Sequence, residues 1–234
     1  MSVDLLERGA QALGPLLDEA VFVGGATVTL WITDAGAPAP RPTKDVDVVI
    51  EVASRAEWHA FEARLREQGF AEDSDSKVMC RWRFRDRPGD DLVLDAMPTH
   101  ANLMGFANRW QGAALPFTVE RSLPSGAVIR AIPPPYLIAT KLEAFRGRGG
   151  GDHLGSHDLE DVVLLVDGRE ELVGEVATAP QDLRDHLGYE CAALLDEPRF
   201  VDAIFGFLRP DMASQGRAEA VVLPRLRAIA GPSA

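Results

Sequence analysis

Two aspartates, Asp45 and Asp47, stand one residue apart at the head of DVDVVIEV, a run dominated by β-branched residues. On a strand, residues i and i+2 point to the same side, so the two carboxylates project together from Cα atoms roughly 6.5 to 7 Å apart. Ionised carboxylates resist burial unless they are paired or bound to a metal. Hard oxygen donors at this spacing suit Mg²⁺ or Mn²⁺. Magnesium usually takes one or two protein carboxylates and fills its other positions with water and phosphate oxygens. A third acid, Asp95, closes the run LVLD and can face the same place from the end of a later strand. Such a set can hold two metal ions and orient or deprotonate an attacking hydroxyl in phosphoryl-type transfer. Gly24 and Gly25 follow the apolar run VFV, where glycines let the backbone approach a ligand closely. A helix starting there would offer free N–H groups and its positive end to phosphates. Each piece alone has an ordinary explanation: a solvated turn for the Asp-x-Asp, a tight turn for the glycines, a cap or surface group for Asp95. Their order along the chain is what points to chemistry.

The elements that must position these residues read as follows. A first amphipathic helix is expected from about Asp4 to Glu19, with Leu5, Leu6, Ala12, Leu13, Leu16 and Leu17 on its apolar face. VFVGG is a short buried strand ending in a glycine turn, ATVTLWI the start of a helix, and DAGAPAPRPT an exposed loop. DVDVVIEV is a strand by its β-branched content. SRAEWHAFEARLREQG is the clearest helix: Ser54 and Glu57 form a capping box, Trp58, Phe61 and Leu65 share a face, and Gly69 ends it. MCRWRFR alternates, with Cys80, Trp82 and Phe84 on one face and Arg81, Arg83 and Arg85 on the other. RPGDD turns that strand into LVLDAMP, a hairpin. Beyond Pro133, PPPYLIATKLEAFRGR starts a helix on its prolines. RGGGDHLGS is a flexible break, HDLEDVVLLVDGR is an amphipathic helix, and the rest reads as further helix. The order predicts an α/β core on a small mixed sheet over residues 1–130, followed by a helical C-terminal region over 131–234.

The chain has 234 residues and a formal net charge of −12, which argues against a broad nucleic-acid-binding surface. No apolar run approaches the roughly 18 to 20 residues of a membrane span, and the acidic, amphipathic N-terminus does not read as a secretory signal. Cys80 and Cys191 lie far apart and form no metal-type spacing, which fits reduced thiols in a cytoplasmic protein.

The pattern hydrophobic-Gly24-Gly25, a short helix, Asp45-x-Asp47 and a later strand Asp95 resembles the nucleotidyltransferase fold of polymerase-β-type enzymes. Lys141 in YLIATKLEAFRGR, followed by HDLEDVVLLV, resembles the Lys-Leu-x-Ala…Arg…Asp-Leu-x-Asp signature of AbiEii/MenT-type nucleotidyltransferases, known mainly as toxins of toxin–antitoxin and phage-defence systems. The resemblance covers roughly residues 20–165. It implies that Asp45, Asp47 and Asp95 bind Mg²⁺ or Mn²⁺ and that Gly24 and Gly25 shape the triphosphate site. It further implies that Lys141 contacts nucleotide phosphates with Thr43 and Arg148 in the nucleotide-binding set, and that Asp158 is the late acid. The implied partners are a nucleoside triphosphate as co-substrate, a tRNA acceptor and a cognate antitoxin. Many relatives have Gly-Ser where this chain has Gly24-Gly25, and here the Pro/Ala loop lengthens the interval before Asp45, so that it could cover the site.

Other residues carry weaker signals. Lys141 sits among Leu137, Ile138, Leu142 and Phe145, at the edge of a packed face, where a snorkelling lysine is the ordinary case. Arg148 falls on the same face, where a cation near a helix C-terminus is also favourable in its own right. On the helical wheel Leu159, Val162, Val163 and Val166 define the buried stripe. Asp158 lies roughly 80° from its centre and Asp161 close to the opposite face, which predicts an exposed Asp161. The Arg81, Arg83, Arg85 stripe reads as an edge-strand solubility device or as a rail for an RNA backbone or triphosphate. His100, His153 and His157 have no partner at metal spacing and read as exposed loop residues. Two rival functions stand beside nucleotidylation of RNA: nucleotidylation of a small cationic molecule of the aminoglycoside type, which an acidic surface suits, and a catalytically silent binding module.

Overall fold

A computed structural model describes residues 2–99, 103, 108–148 and 150–231; His100 lies outside them. The chain divides into two units, one formed by residues 1–30 and 41–133, the other by 31–40 and 134–234.

The first unit is built on a mixed sheet of seven strands in the order β3-β4-β5-β2-β1-β7-β6. These strands are β1 (Ala20–Val23), β2 (Val46–Ile50), β3 (Ala71–Glu72), β4 (Arg81–Phe84), β5 (Leu92–Pro98), β6 (Val119–Ser122) and β7 (Val128–Ala131). β1 is buried along its whole length, and runs antiparallel to β2 on one side and parallel to β7 on the other. β2 runs parallel to β5, which forms the expected antiparallel hairpin with β4. The β6–β7 hairpin and the short β3 widen the sheet beyond the sequence reading.

Helix α1 (Ser2–Leu13) is shorter than expected; residues 14–19 form a 3-10 turn instead. The break sits at Gly14–Pro15, with Gly14 at φ +52°, because proline disfavours a helical conformation in the residue before it and clashes with the turn below. α1 crosses β2 closely at Gly9, where an added Cβ would stand 3.3 Å from both Val46 methyls. The helix α2 (Arg55–Glu67) forms as predicted: the Ser54 hydroxyl accepts from the Glu57 amide, and Trp58, Phe61 and Leu65 are buried. A six-residue helix, α3 (Arg109–Ala114), precedes β6.

The second unit is helical, comprising α4 (Pro134–Arg148), α5 (His157–Gly168), α6 (Leu172–Thr178), α7 (Gln181–Leu195), α8 (Pro198–Phe207), α9 (Met212–Arg217) and α10 (Leu223–Ala230). The stripe Leu159, Val162, Val163 and Val166 is fully buried. The Pro/Ala segment is less exposed than expected. Residues 31–40 belong to this unit, tied by the Thr33 and Asp34 amides donating to the Gly168 carbonyl at 2.8 and 3.0 Å. No helix among the described residues is long and apolar enough to cross a membrane.

Candidate active site

Strand register assembles the acidic group within the first unit. In the parallel β2–β5 pair Asp47 stands directly beside Asp95, and in the β4–β5 hairpin Asp95 stands opposite Arg81. Asp45 precedes β2 by one residue, on the side of Asp47 by the alternation of an extended chain. The Arg81 fork grips Asp95 through two bonds, Nε to Oδ1 at 2.8 Å and Nη2 to Oδ2 at 2.7 Å, and Nη2 also donates to Asp45 Oδ2 at 2.6 Å. Arg81 is therefore not part of an exposed basic stripe; only Arg83 and Arg85 are exposed. Its bonds to Asp95 raise its pKa above the usual arginine value. Beside it, burial first and then the charges of Asp95 and Asp47 push the Cys80 thiol up to about 12, so this cysteine is no nucleophile.

Gly24 closes the other flank. Its φ of +73° lies in the left-handed region that favours glycine. A Cβ there would fall 1.9 Å from Asp47 Oδ2 and 2.5 Å from Asp47 Cγ, so the Asp47 carboxylate occupies the space a side chain would take. Gly25 is buried and opens the expected short helix, which takes the 3-10 form over six residues. The Thr43 hydroxyl, two residues before Asp45, is buried with no hydrogen-bond partner.

These residues fit a divalent cation by chemistry: hard oxygen donors on neighbouring strands, already accepting from a cation in Arg81, with an orphaned hydroxyl nearby. Among the described residues, however, no three His, Cys, Asp or Glu side chains converge tightly enough to hold a metal ion as they stand. The Arg81 guanidinium stands between Asp45 and Asp95 and bonds both.

A second charged cluster lies within the helical unit and gathers Lys141, Arg148, Asp158 and Asp161. Lys141 Nζ pairs with Asp161 Oδ2 at 2.6 Å and with Asp158 Oδ1 at 3.3 Å, and Arg148 reaches Asp158 at 3.2 Å. Asp161 is 0% exposed, which overturns the expectation that it faces water. The reason is that α5 is buried nearly all round, with Asp158, Leu159 and every residue from Asp161 to Gly168 buried, so the face opposite the apolar stripe is also covered. Lys141, 8% exposed, is likewise held inside by two carboxylates and does not snorkel at an edge. His153 is also less exposed than expected, its ring edge-on to Phe145 at 5.1 Å, while His157 is exposed and pairs with Glu160.

Arg81, Lys141 and Asp161 are charged residues more buried than the sequence suggests, and signals existed for Arg81 and Asp161. Counting from the hairpin turn would have found Arg81, because Phe84 pairs with Leu92 and three further steps along each strand reach Arg81 and Asp95. Asp161 was signalled only by the apolar excess of VVLLV, which leaves α5 little polar face.

No family model and no curated protein matches the sequence. Among solved structures, the chain is similar to an antigenic nucleotidyltransferase-like protein from Paracoccidioides brasiliensis, with a TM-score of 0.52 and 20% identity over 87% of this chain and 91% of that one. It is also similar to a candidate nucleotidyltransferase from H. pylori, with a TM-score of 0.50 and 14% identity over 98% of this chain and 92% of the other. The chain has a nucleotidyltransferase-like fold. In this fold Asp47 and Asp95 lie side by side in the sheet, with Asp45 one residue before β2 and the left-handed Gly24 turn against Asp47.

Proposed function

We propose that the protein is a metal-dependent nucleotidyltransferase, taking a nucleoside triphosphate and joining its nucleotide to an acceptor hydroxyl. The observation that carries this reading is the in-register Asp47–Asp95 pair, with Asp45 beside it and Gly24 making room for the Asp47 carboxylate. Asp45 and Asp47 would hold Mg²⁺ or Mn²⁺, with Asp95 as the third carboxylate of the group. When bound, the metal supplies positive charge against the triphosphate and the charge that develops in transfer. The acceptor oxygen forms a bond to the α-phosphorus as the bond to the β-phosphate oxygen breaks, and pyrophosphate leaves. A carboxylate has about four acceptor positions, so Asp95 keeps capacity to orient the attacking hydroxyl and receive its proton while bound by Arg81. The Gly24 turn keeps the floor of the group free of side chains.

For the acceptor we favour an RNA end such as tRNA, as a toxin of the AbiEii/MenT type with a cognate antitoxin. Arg83, exposed on β4, and Arg85, exposed just past its end, support this because both can follow a phosphate backbone. The net charge of −12 favours a second reading, a small cationic acceptor. Two free, buried cysteines are consistent with a cytoplasmic setting. The test supplies each α-labelled NTP with Mg²⁺ or Mn²⁺ to total tRNA and, separately, to an aminoglycoside panel. Label on tRNA that disappears with Asp47→Asn supports the first reading, and label on the small molecules the second. No transfer to any acceptor, or transfer that survives Asp47→Asn, overturns the catalytic assignment.

A further inference from the structure

We infer that Arg81 is the resident cation of the acidic group, so that the protein takes a single divalent ion on Asp45 and Asp47 and keeps Asp95 out of the metal-ligand set. This rests on the reading that the acidic group binds a divalent cation. Three observations on the sheet carry it.

First, the Arg81–Asp95 fork is fixed by the backbone, since the two residues face each other across the β4–β5 hairpin and donate and accept through two bonds of 2.8 and 2.7 Å. A bidentate Arg–carboxylate pair is the strong, geometrically specific form of such contacts. Arginine stays charged at all working pH, so this cation cannot titrate away. Second, Asp45 is held differently. It lies outside β2, its carboxylate is 34% exposed against 9% for Asp95, and it receives one bond from the same Nη2 that already serves Asp95. Asp45 leaves Arg81 by giving up one bond, whereas Asp95 would have to give up two. Third, the Arg81 charge already answers part of the acidic group. Arg81 sets one positive charge between Asp45 and Asp95, which lowers the pull of this part of the group on a second divalent ion. Arg83 and Arg85 do not compete for this place, because they pair with Asp73 and Asp91.

The experiment is a Mn²⁺ titration of the full chain, with free Mn²⁺ read by its paramagnetic resonance signal and folding read by thermal melting. It compares the wild type with Arg81→Met, Arg81→Lys, Asp95→Asn, Asp47→Asn and the double variant Arg81→Met/Asp95→Asn. The wild type should bind about one Mn²⁺, and Arg81→Met about two, the second disappearing in the double variant. Arg81→Lys keeps the charge and should stay at one. Asp95→Asn in the wild-type background should also keep its single ion, which holds the inference open to refutation even where Arg81→Met fails to fold. Two ions in the wild type, loss of the only ion in Asp95→Asn, or equal stoichiometry in wild type and a folded Arg81→Met overturns the role of Arg81 while the metal reading stands. No Mn²⁺ bound by any folded variant, with or without a nucleoside triphosphate, overturns the metal reading itself and the inference with it.

Discussion

Replacing Gly24 with alanine tests the tightest contact in the acidic group. The residue sits at φ +73°, where an L side chain costs roughly 1 to 2 kcal/mol. The new methyl would meet Asp47 Oδ2 at 1.9 Å, Cγ at 2.5 Å and Cβ at 2.8 Å, so a rotation of the carboxylate alone does not clear it. Overpacking of this kind typically costs about 1 to 3 kcal/mol. Against these, alanine restricts the unfolded chain and returns about 0.4 to 1 kcal/mol. Strain wins, and the net loss is roughly 1 to 4.5 kcal/mol, equivalent to a fall in melting temperature of about 2 to 18 °C for a chain of this size. Urea unfolding of the wild type, Gly24→Ala, Asp47→Ala and the double variant separates the causes. Asp47→Ala removes the oxygen and Cγ from the collision but leaves its Cβ, so the double variant should recover part of the loss, with a coupling of at least about 1 kcal/mol. A Gly24→Ala protein within about 0.5 kcal/mol of wild type, or strictly additive losses, would refute the placement of the Asp47 carboxylate against Gly24.

Three further outcomes are expected. Asp47→Asn should abolish Mg²⁺-dependent nucleotide binding in calorimetry while the melting curve stays near that of the wild type; unchanged binding would remove Asp47 from the metal-binding pair. Lys141→Ala should destabilise by about 3 to 5 kcal/mol, because it strands the fully buried Asp161 without its cation; a normal melting curve would show that the pair is not buried as described. Asp86 is held below the usual carboxylate range by its bond to Arg8, so its stabilising contribution is complete above the unfolded pKa of 3.8 and is lost as the pH falls through the lower folded value. Asp86→Asn should therefore lose stability near neutral pH and show a shallower acid limb below about pH 4 than the wild type, and an equally steep limb would contradict the pairing.

Local chemistry decided which parts of the fold were legible. The β-branched run of β2, the Ser54 cap of α2, and the alternation of β4 each announce one element by themselves, and all three formed. The Gly14–Pro15 break was equally local, and an unbroken apolar stripe masked it. The β6–β7 hairpin was harder, because VERS and VIRA carry polar residues suited to a sheet margin. What makes β7 a strand is its pairing with the buried β1, a partner more than a hundred residues away in sequence.

The acidic group shows the same division more sharply. Asp45 and Asp47 could be placed together from sequence because their relation is an i, i+2 spacing within one extended segment. The neighbour of Asp47 across the sheet depends on the β2–β5 register, and a slip of one residue would send Asp95 to the other face. Arg81 depends on the β4–β5 register, which the hairpin turn sets, and the pattern RWRFR taken alone does not distinguish it from Arg83. Lys141 fails for a related reason. A helical wheel ranks positions by distance from the apolar stripe and assumes that the far side meets water. α5 breaks that assumption, since both its faces are covered, and the aspartate ranked as exposed becomes the closer partner of Lys141. Burial on both sides then determines the chemistry. An ion pair at 2.6 Å with one member wholly out of water is hard to open, so Lys141 in this unit acts first as the counter-charge of Asp161, and any contact with a phosphate would draw on what Asp158 and Arg148 leave free.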